Sequence, residues 1–224
     1  MSLTLAFDVY GTLIDTHGVV DQLHDKVGDR AKSFSQSWRD KQLEYSFRRG
    51  LMQQYENFAI CTHDALEYTD ALYQTGLSDS QKQELLEIYQ ALPAYDDVDT
   101  GLNRLQDAGV HMYAFSNGTA EAVEGLLSAA GISEYFIDIV SVDEIRTFKP
   151  DPGVYQHFLK RAKTAAEKTW LVSSNPFDVL GALASGMQAA WVQRTAEALF
   201  DPWGVQPTIT ISGLDELAAR IQVL

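Results

Sequence analysis

Short runs of apolar and β-branched residues alternate along most of the chain with segments whose apolar residues recur every three or four positions. Runs of the first kind predict β-strands, and segments of the second kind predict amphipathic helices. The predicted strands are residues 4–7, 111–115, 137–142, 169–173, 189–193 and 208–211. Strands that alternate with helices are typical of a parallel sheet with both faces covered. The expected fold class is therefore α/β, with a doubly wound, Rossmann-like core.

Glycine and proline mark the ends of the predicted helices in this core. Gly109 and Gly131 each follow a helical segment, and Pro152 stands at the first position of another. These placements suit the two residues, since glycine ends helices and proline is tolerated in the first turn. The predicted core helices cover residues 102–108, 122–130, 152–159 and 214–221.

The strand pattern is absent between about residues 15 and 95. Helical spacing fills this stretch, and Ser78 with Gln81 forms a capping-box pattern at the start of its last helix. An all-helical block between the first strand and the rest of an α/β fold predicts an inserted cap. We expect a core domain of residues 1–14 and 96–224, and a helical cap domain of residues 15–95.

Composition narrows the possible partners and compartments. The 224 residues are 46% hydrophobic and carry a formal net charge of -14, which disfavours nucleic acid and anionic membrane as partners. No apolar run approaches the ~18 residues that a membrane span needs. The N-terminal residues lack the basic region of a signal peptide. The single cysteine, Cys61, has no internal disulfide partner, and the expected location is the cytoplasm.

Polar side chains follow four of the predicted strands or the loops after them. Asp8 follows the first strand, Ser116 and Asn117 follow the second, and Lys149 comes after the third. The segment from Ser173 to Asp178 follows the fourth. Because ligands bind beyond the carboxyl ends of parallel strands, we expect these groups to converge on one site. A charged Asp after a buried strand is costly to desolvate, which also favours a functional role for Asp8.

The segment from Asp8 to Thr12 resembles the first motif of the haloacid dehalogenase superfamily, whose first Asp is a covalent nucleophile. Phosphatases of that superfamily carry a second Asp two residues later as the acid for the leaving oxygen. Here that position is Tyr10, a poor acid at neutral pH because a phenol has a reference pKa near ~10. The fourth motif likewise offers Ser173 and Ser174 where acids help the phosphatases to bind Mg²⁺. We therefore expect neither metal nor cofactor.

Within the superfamily, the chain is most similar to the L-2-haloacid dehalogenases. The stretch from Trp38 to Tyr45 resembles their cap helix, whose Arg accepts the departing halide, and the stretch from Ser173 to Asp178 resembles their fourth motif. The resemblance spans essentially the whole chain. It implies a small haloacid substrate, a homodimer, and an (S)-2-haloacid dehalogenase that forms a D-2-hydroxy acid and halide through an aspartyl ester.

The resemblance also implies roles for individual residues. Asp8 attacks C2 of the substrate, Arg39 and Asn117 take the halide charge, and Ser116 with Lys149 holds the carboxylate beside backbone N–H groups near Tyr10 and Gly11. Asp178 positions or deprotonates the water that attacks the ester. The other expected catalytic residues are Thr12, Tyr155, Ser173 and Asn175. The expected substrate-binding residues are Tyr10, Gly11, Leu43, Phe58, Ser116, Asn117, Lys149 and Phe177.

Each assignment has a structural alternative. Asp8 can cap a turn, Asp178 can serve as a helix N-terminal acid, and Lys149 can be a solvated loop charge. Arg48 and Arg49 share the predicted cap helices with Arg39, so that spacing alone does not separate them. Leu43 and Phe58 suit the interior of the cap as well as a pocket wall. At the level of function, the alternatives are a Mg²⁺-dependent phosphatase of the same superfamily and a non-catalytic binding protein on its scaffold.

Overall fold

The computed structural model describes residues 3–221, which fold into six strands and nine α-helices joined by loops and short 3₁₀ turns. The strands are β1 (Thr4–Phe7), β2 (His111–Ser116), β3 (Asp138–Ser141), β4 (Thr169–Ser173), β5 (Gln188–Val192) and β6 (Ile209–Ile211). The helices are α1 (Val20–Val27), α2 (Ala31–Leu51), α3 (Phe58–Tyr73), α4 (Asp79–Ile88), α5 (Val98–Asp107), α6 (Ala120–Ala129), α7 (Pro152–Ala162), α8 (Pro176–Ala184) and α9 (Leu217–Arg220).

All six strands pair in parallel, in the order β3-β2-β1-β4-β5-β6. Strand β1 lies in the middle, and its Thr4 is in register with His111 of β2 and with Thr169 of β4. From β1 the chain adds β2 and β3 on one side of the sheet, and then β4, β5 and β6 on the other side. This reversal is the switch point at which open parallel sheets bind ligands beyond the strand ends.

Alternate residues of β1 pack into two different hydrophobic cores. Leu5 and Phe7 belong to a core that also contains residues of α5, α6 and α9, and Ala6 belongs to a core that contains residues of α7 and α8. Successive side chains of a strand point to opposite faces, so helices cover both faces of the sheet. The predicted doubly wound α/β architecture is confirmed.

The segment between β1 and β2 contributes no strand to the sheet and contains helices α1 to α5. Its outgoing and returning chains meet at a β-bridge between Ile14 and Ala94. The backbone N–H of Asp15 donates to Pro93 at 2.8 Å, and that of Tyr95 donates to Leu13 at 3.0 Å. The helical insertion is thus connected to the core by two neighbouring chain segments, residues 13–15 and 93–95, that are hydrogen-bonded to each other.

The predicted strands agree with the observed ones to within one or two residues at each end. Ser78 and Gln81 form both hydrogen bonds of the predicted capping box, and Pro152 begins α7. The C-terminal helix is shorter than predicted, because α9 spans only Leu217–Arg220 after a 3₁₀ turn. Residues 1–2 and 222–224, which end the two predicted core ranges, lie outside the described residues. Within 3–221, no helix has the length and apolar character needed to cross a bilayer.

Candidate active site

The carboxyl ends of three adjacent strands bring the polar side chains together. Asp8 follows β1, Ser116 ends β2, and Ser173 ends β4. Lys149 reaches the same place from the loop that follows β3, where its ammonium lies 3.2 Å from Asp8 Oδ1. The predicted convergence of the four segments is therefore observed.

The two oxygens of the Asp8 carboxylate have different surroundings. Oδ2 accepts hydrogen bonds from Thr12 Oγ1 at 2.8 Å, Ser173 Oγ at 3.1 Å and Asn175 Nδ2 at 2.7 Å. Oδ1 accepts only from the Lys149 ammonium among the described residues. Asp8 is buried but its side chain keeps an 11% exposed fraction. One oxygen is thus held by three donors, and the other is left with a single ionic contact.

Lys149 is the central cation of the sheet edge and is 1% exposed. Its ammonium donates to Asp8 Oδ1, to the Phe115 carbonyl at 2.8 Å and to Asp178 Oδ2 at 2.7 Å. An ammonium has three N–H donors, and here all three have protein acceptors. No donor is left over for a substrate carboxylate. This differs from the substrate-binding role expected for Lys149, and the solvated-loop alternative is wrong.

Asp178 lies in the first turn of α8 and is fully buried. Burial raises the pKa of its carboxyl to about 6, against the lowering effects of the Lys149 charge and of hydrogen bonds from Lys149 and Tyr155. Tyr155 donates to Asp178 Oδ1 at 2.8 Å. The phenol reaches this position beside Gly181, where a Cβ atom would lie 2.6 Å from its ring. The Tyr155 ring fits beside α8 because residue 181 has no side chain.

The second motif is held by its own hydrogen bonds. Asn117 Oδ1 accepts the Lys149 backbone N–H at 3.0 Å, which leaves the amide NH₂ as the free donating group of that side chain. Ser116 Oγ accepts the backbone N–H of Gly118 at 3.1 Å, so its hydroxyl proton remains able to donate. The Gly11 N–H was expected to face a substrate carboxylate, but it donates to the Ile14 carbonyl at 2.8 Å.

The helical insertion contributes Arg39 to the site. Its guanidinium donates to Gln42 Oε1 at 2.6 Å and to the Tyr10 carbonyl at 3.3 Å. Arg48 and Arg49, the two alternatives, instead pair with acids of the insertion, Glu44 and Asp64. Contact with Tyr10, two residues from Asp8, therefore separates Arg39 from the other two. Burial raises the Tyr10 pKa to about 12, so the phenol stays neutral at physiological pH.

Two cavities lie between the insertion and the sheet. The first measures about 580 Å³ and is lined by Arg39 together with Gly11 and Asn175 of the core. The second measures about 500 Å³ and is lined by Tyr10 and Phe58 among others. Of the residues expected to bind substrate, five line neither cavity, and nor does Asp8: these five are Leu43, Ser116, Asn117, Lys149 and Phe177. Phe177 packs edge-on against Phe47 of α2, with ring centroids 5.0 Å apart, which makes it a contact between core and insertion.

Three residues of this region were not singled out from the sequence. Tyr89 lines both cavities and stacks beside Tyr10 at 6.4 Å, Gln42 contacts Arg39, and Arg194 donates to the Thr12 carbonyl while it pairs with Asp97. Tyr89 and Gln42 lie on predicted amphipathic helices, where a polar or aromatic residue gives no separate signal. Arg194 follows a predicted strand end, and that position was the available clue.

The donor set of the site does not resemble a dication site. The two carboxylates, Asp8 and Asp178, already share the Lys149 ammonium, and hydroxyl and amide groups supply the remaining contacts. A hard dication prefers several carboxylate or carbonyl oxygens at once. Within residues 3–221, no three His, Cys, Asp or Glu side chains are grouped so as to hold a metal ion.

A family model described as haloacid dehalogenase-like hydrolase matches residues 3–186. The chain belongs to this hydrolase family. It is 37% identical over 213 residues to (S)-2-haloacid dehalogenase 2 of Pseudomonas sp. (strain CBS-3), a match that covers 95% of this chain and 93% of the relative. It is 36% identical over 219 residues to haloacetate dehalogenase H-2 of Moraxella sp. (strain B), covering 98% and 97%.

Solved structures of similar proteins agree with these relatives. The L-2-haloacid dehalogenase of Xanthobacter autotrophicus superposes with a TM-score of 0.90 at 29% identity, and the match covers 99% of each chain. A second structure of that enzyme, with chloropropionic acid covalently bound, matches with the same score and coverage. The superfamily and subfamily suggested by the sequence motifs are thereby confirmed.

Proposed function

We propose that the protein is an (S)-2-haloacid dehalogenase that converts short L-2-haloalkanoates and water to D-2-hydroxy acids and halide. The observation that carries the proposal is the asymmetric Asp8 carboxylate. Among residues 3–221, one of its oxygens is held by three donors and the other is contacted by Lys149 alone. Such a carboxylate is positioned for attack on carbon without a general acid. A halide leaves without a proton, which suits a buried phenol at Tyr10.

In the first step, Asp8 Oδ1 attacks C2 of the substrate from the rear, and the carbon–halogen bond breaks with its electron pair on the halide. The new bond is an ester whose carbonyl oxygen is Oδ2. Positioning of this kind contributes up to about 7–11 kcal/mol in favourable cases. Arg39 and the Asn117 NH₂ receive the halide charge, and the Ser116 hydroxyl with backbone donors orients the substrate carboxylate.

In the second step, water attacks the Asp8 carbonyl carbon, and negative charge develops on Oδ2. Thr12, Ser173 and Asn175 already donate to this oxygen, so they act as an oxyanion hole that needs no rearrangement. Asp178, held by Lys149 and Tyr155, takes the proton from water. The tetrahedral adduct then collapses: the bond between the Asp8 carbonyl carbon and Oδ1 breaks, the 2-hydroxy acid leaves with Oδ1 on C2, and its alkoxide takes the proton back from Asp178. The pKa of about 6 places Asp178 in its basic form at neutral pH.

The test follows oxygen from water into the protein. Enzyme in excess over L-2-chloropropionate in ¹⁸O-water is expected to carry heavy oxygen on the Asp8 peptide, and the first-turnover lactate none. The product is expected to have inverted configuration, because carbon is attacked once. Asp178→Asn is expected to accumulate the ester. Label in the first-turnover product would show that water attacks carbon directly, and Asp8 would lose its role as nucleophile.

The alternatives make different demands on the same site. A phosphatase needs an acid for the alkoxide leaving group, and the raised pKa of Tyr10 makes it a poorer acid than a free phenol. A non-catalytic scaffold has no need for the paired Asp8, Lys149 and Asp178. The named relatives also favour the dehalogenase. Phosphate-ester hydrolysis with added Mg²⁺, in the absence of halide release, would instead favour the phosphatase.

We further propose the domain division, the oligomeric state and the location. Residues 15–95 form the cap domain, with the core in 1–14 and 96–224. Leu51, Met52 and Leu72 expose apolar surface on the insertion, which suits a homodimer contact. Light scattering at several concentrations tests the dimer. The buried thiol of Cys61 and the absence of any second cysteine suit the reducing cytoplasm.

A further inference from the structure

The buried face of helix α2 is apolar in its first half and polar in its second half. Its buried positions are Ala31, Phe34, Trp38, Gln42 and Ser46, while Leu43 and Phe47 are only partly buried. Gln42 is 1% exposed. A primary amide removed from water is costly unless its groups are hydrogen-bonded, so its partners decide what the residue does.

Both ends of the Gln42 amide are engaged. Its oxygen accepts from Arg39 Nη1 at 2.6 Å, and its NH₂ donates to Thr62 Oγ1, which in turn donates to the Phe58 carbonyl at 2.9 Å. A rotated amide would place its NH₂ against the guanidinium, which has no acceptor, so the donor sense of the chain is fixed. Arg39 is thereby tied through Gln42 and Thr62 to the backbone of α3.

The contacts of Arg39 orient its charge without neutralising it. Among residues 3–221, no carboxylate lies within ion-pair distance of Arg39, and its second acceptor is the Tyr10 carbonyl. Arg48 and Arg49 of the same helix each have an acidic partner. Arg39 is one of the cations that line the first cavity, and its hydrogen-bond acceptors within residues 3–221 are neutral oxygens.

We propose that Gln42 is a positioning residue that fixes the Arg39 guanidinium while leaving its charge available to the departing halide. The inference rests on the proposed dehalogenase function. A glutamate at position 42 has nearly the same shape and also accepts a hydrogen bond from Arg39. Its negative charge, however, would neutralise the guanidinium and leave less positive charge for the departing halide. A glutamate also loses the donation to Thr62, so a loss of rate alone does not separate the two roles. A merely structural amide would lose the same activity with either halide and keep its bromide inhibition, whereas an amide chosen for neutrality would not.

The experiment compares Gln42→Glu with Gln22→Glu, an exposed glutamine on α1 that lines neither cavity. Halide release is measured in single turnover with L-2-chloropropionate and L-2-bromopropionate, and bromide inhibition is measured in steady state. We expect Gln42→Glu to slow release about 100-fold, more for chloride than for bromide, because the smaller halide is the poorer leaving group. Bromide inhibition is expected to weaken about tenfold. Gln22→Glu is expected to stay within about twofold of wild type in every measurement.

Thr62→Val serves as a second variant, because it removes only the hydroxyl that anchors Gln42. We expect it to slow halide release about three- to tenfold. The variant is expected to fold but to unfold at a lower denaturant midpoint, because the buried Gln42 NH₂ loses its acceptor. If Gln42→Glu does not fold, Thr62→Val decides. Wild-type rates and bromide inhibition in a folded Gln42→Glu, or in Thr62→Val when that variant decides, would overturn the positioning role. Absence of halide release by the wild type itself would instead refute the proposed function.

Discussion

The two cations of the site stand in opposite environments. Lys149 belongs to the sheet edge, is 1% exposed, and contacts two carboxylates and a carbonyl. Arg39 belongs to the helical insertion, is partly exposed, and donates hydrogen bonds to an amide and a carbonyl and to no carboxylate of the described residues. The sheet thus holds a cation whose charge is fully used by the protein, and the insertion holds one whose charge remains available.

This difference separates the tasks of the two halves. A buried ammonium between two carboxylates fixes their geometry, and its removal leaves uncompensated buried charge. A partly exposed guanidinium with neutral partners contributes little to folding but is free to bind an incoming or departing anion. We therefore expect substitution of Lys149 to affect stability and activity together, and substitution of Arg39 to affect activity with little effect on stability.

The largest effect is expected for Lys149→Met. Asp8 and Asp178 would lose their shared cation, which is expected to lower the free energy of unfolding by about 3–5 kcal/mol at pH 8. Halide release is expected to fall by about 1000-fold or more. Denaturant unfolding and halide assays measure the two effects, with exposed Lys160→Met as the control. A variant as stable as wild type would show that Lys149 does not compensate the two acids.

Arg39→Lys is expected to reduce kcat about 10- to 100-fold with little change in stability. An ammonium cannot make both contacts of the planar guanidinium, so the charge moves relative to the halide. The loss is expected in kcat because the contact strengthens in the transition state. Arg48→Lys, an exposed position paired with Glu44, is the control. A larger loss of kcat in Arg48→Lys than in Arg39→Lys would show that Arg39 is not the arginine that binds the halide.

The pH dependence reports on Asp178. Its pKa is raised to about 6 by burial, and the role of base proposed for Asp178 requires an ionised carboxylate that accepts a proton from water. Turnover is therefore expected to fall about tenfold per pH unit below about 6, and to be level from pH 7 to 8. Steady-state kcat from pH 4 to 9 measures this limb. A limb centred near pH 4 would contradict the effect of burial.

Gly181→Ala probes the contact between Tyr155 and Asp178. The new methyl group would overlap the Tyr155 ring and displace its hydroxyl, which removes a hydrogen bond that lowers the Asp178 pKa. We expect about a tenfold loss of kcat and an acid limb shifted to higher pH. Gly125→Ala is the control, because Gly125 is an exposed position of helix α6 where an added Cβ would meet no atom of another element within 4 Å. It is expected to stabilise the fold by about 0.5–1 kcal/mol.

The smallest effect is expected for removal of divalent metal. Because the Lys149 ammonium already pairs with both carboxylates, dialysis against EDTA is expected to leave halide release unchanged. Assays before and after dialysis, with and without added Mg²⁺, measure this. A large loss that Mg²⁺ restores would contradict the metal-independent mechanism.

The sequence was sufficient to predict the sheet, since each strand is a short apolar run with a turn after it. It was also sufficient to bring Asp8 and Lys149 together, because parallel strands share one active edge. The roles of Gln42 and Gly181 were not predictable. A glutamine among apolar helix residues is normally assigned to solvent, and a helical glycine reveals its purpose only when Tyr155 is seen beside it. Both depend on contacts between distant segments, for which periodicity carries no information.

The pairing of β1 has a consequence for how the protein is made. Strand β1, which Asp8 follows, is synthesised before the two strands that pair with it. Thr4 of β1 is in register with His111 of β2 and with Thr169 of β4. During translation, β1 has no partner strand until the whole helical insertion has been synthesised. Contacts so distant along the chain are slow to form, because loop closure comes before the gain from pairing. Asp8, the proposed nucleophile, is therefore synthesised before the other residues of the candidate site, and its surroundings are complete only after most of the chain has been made.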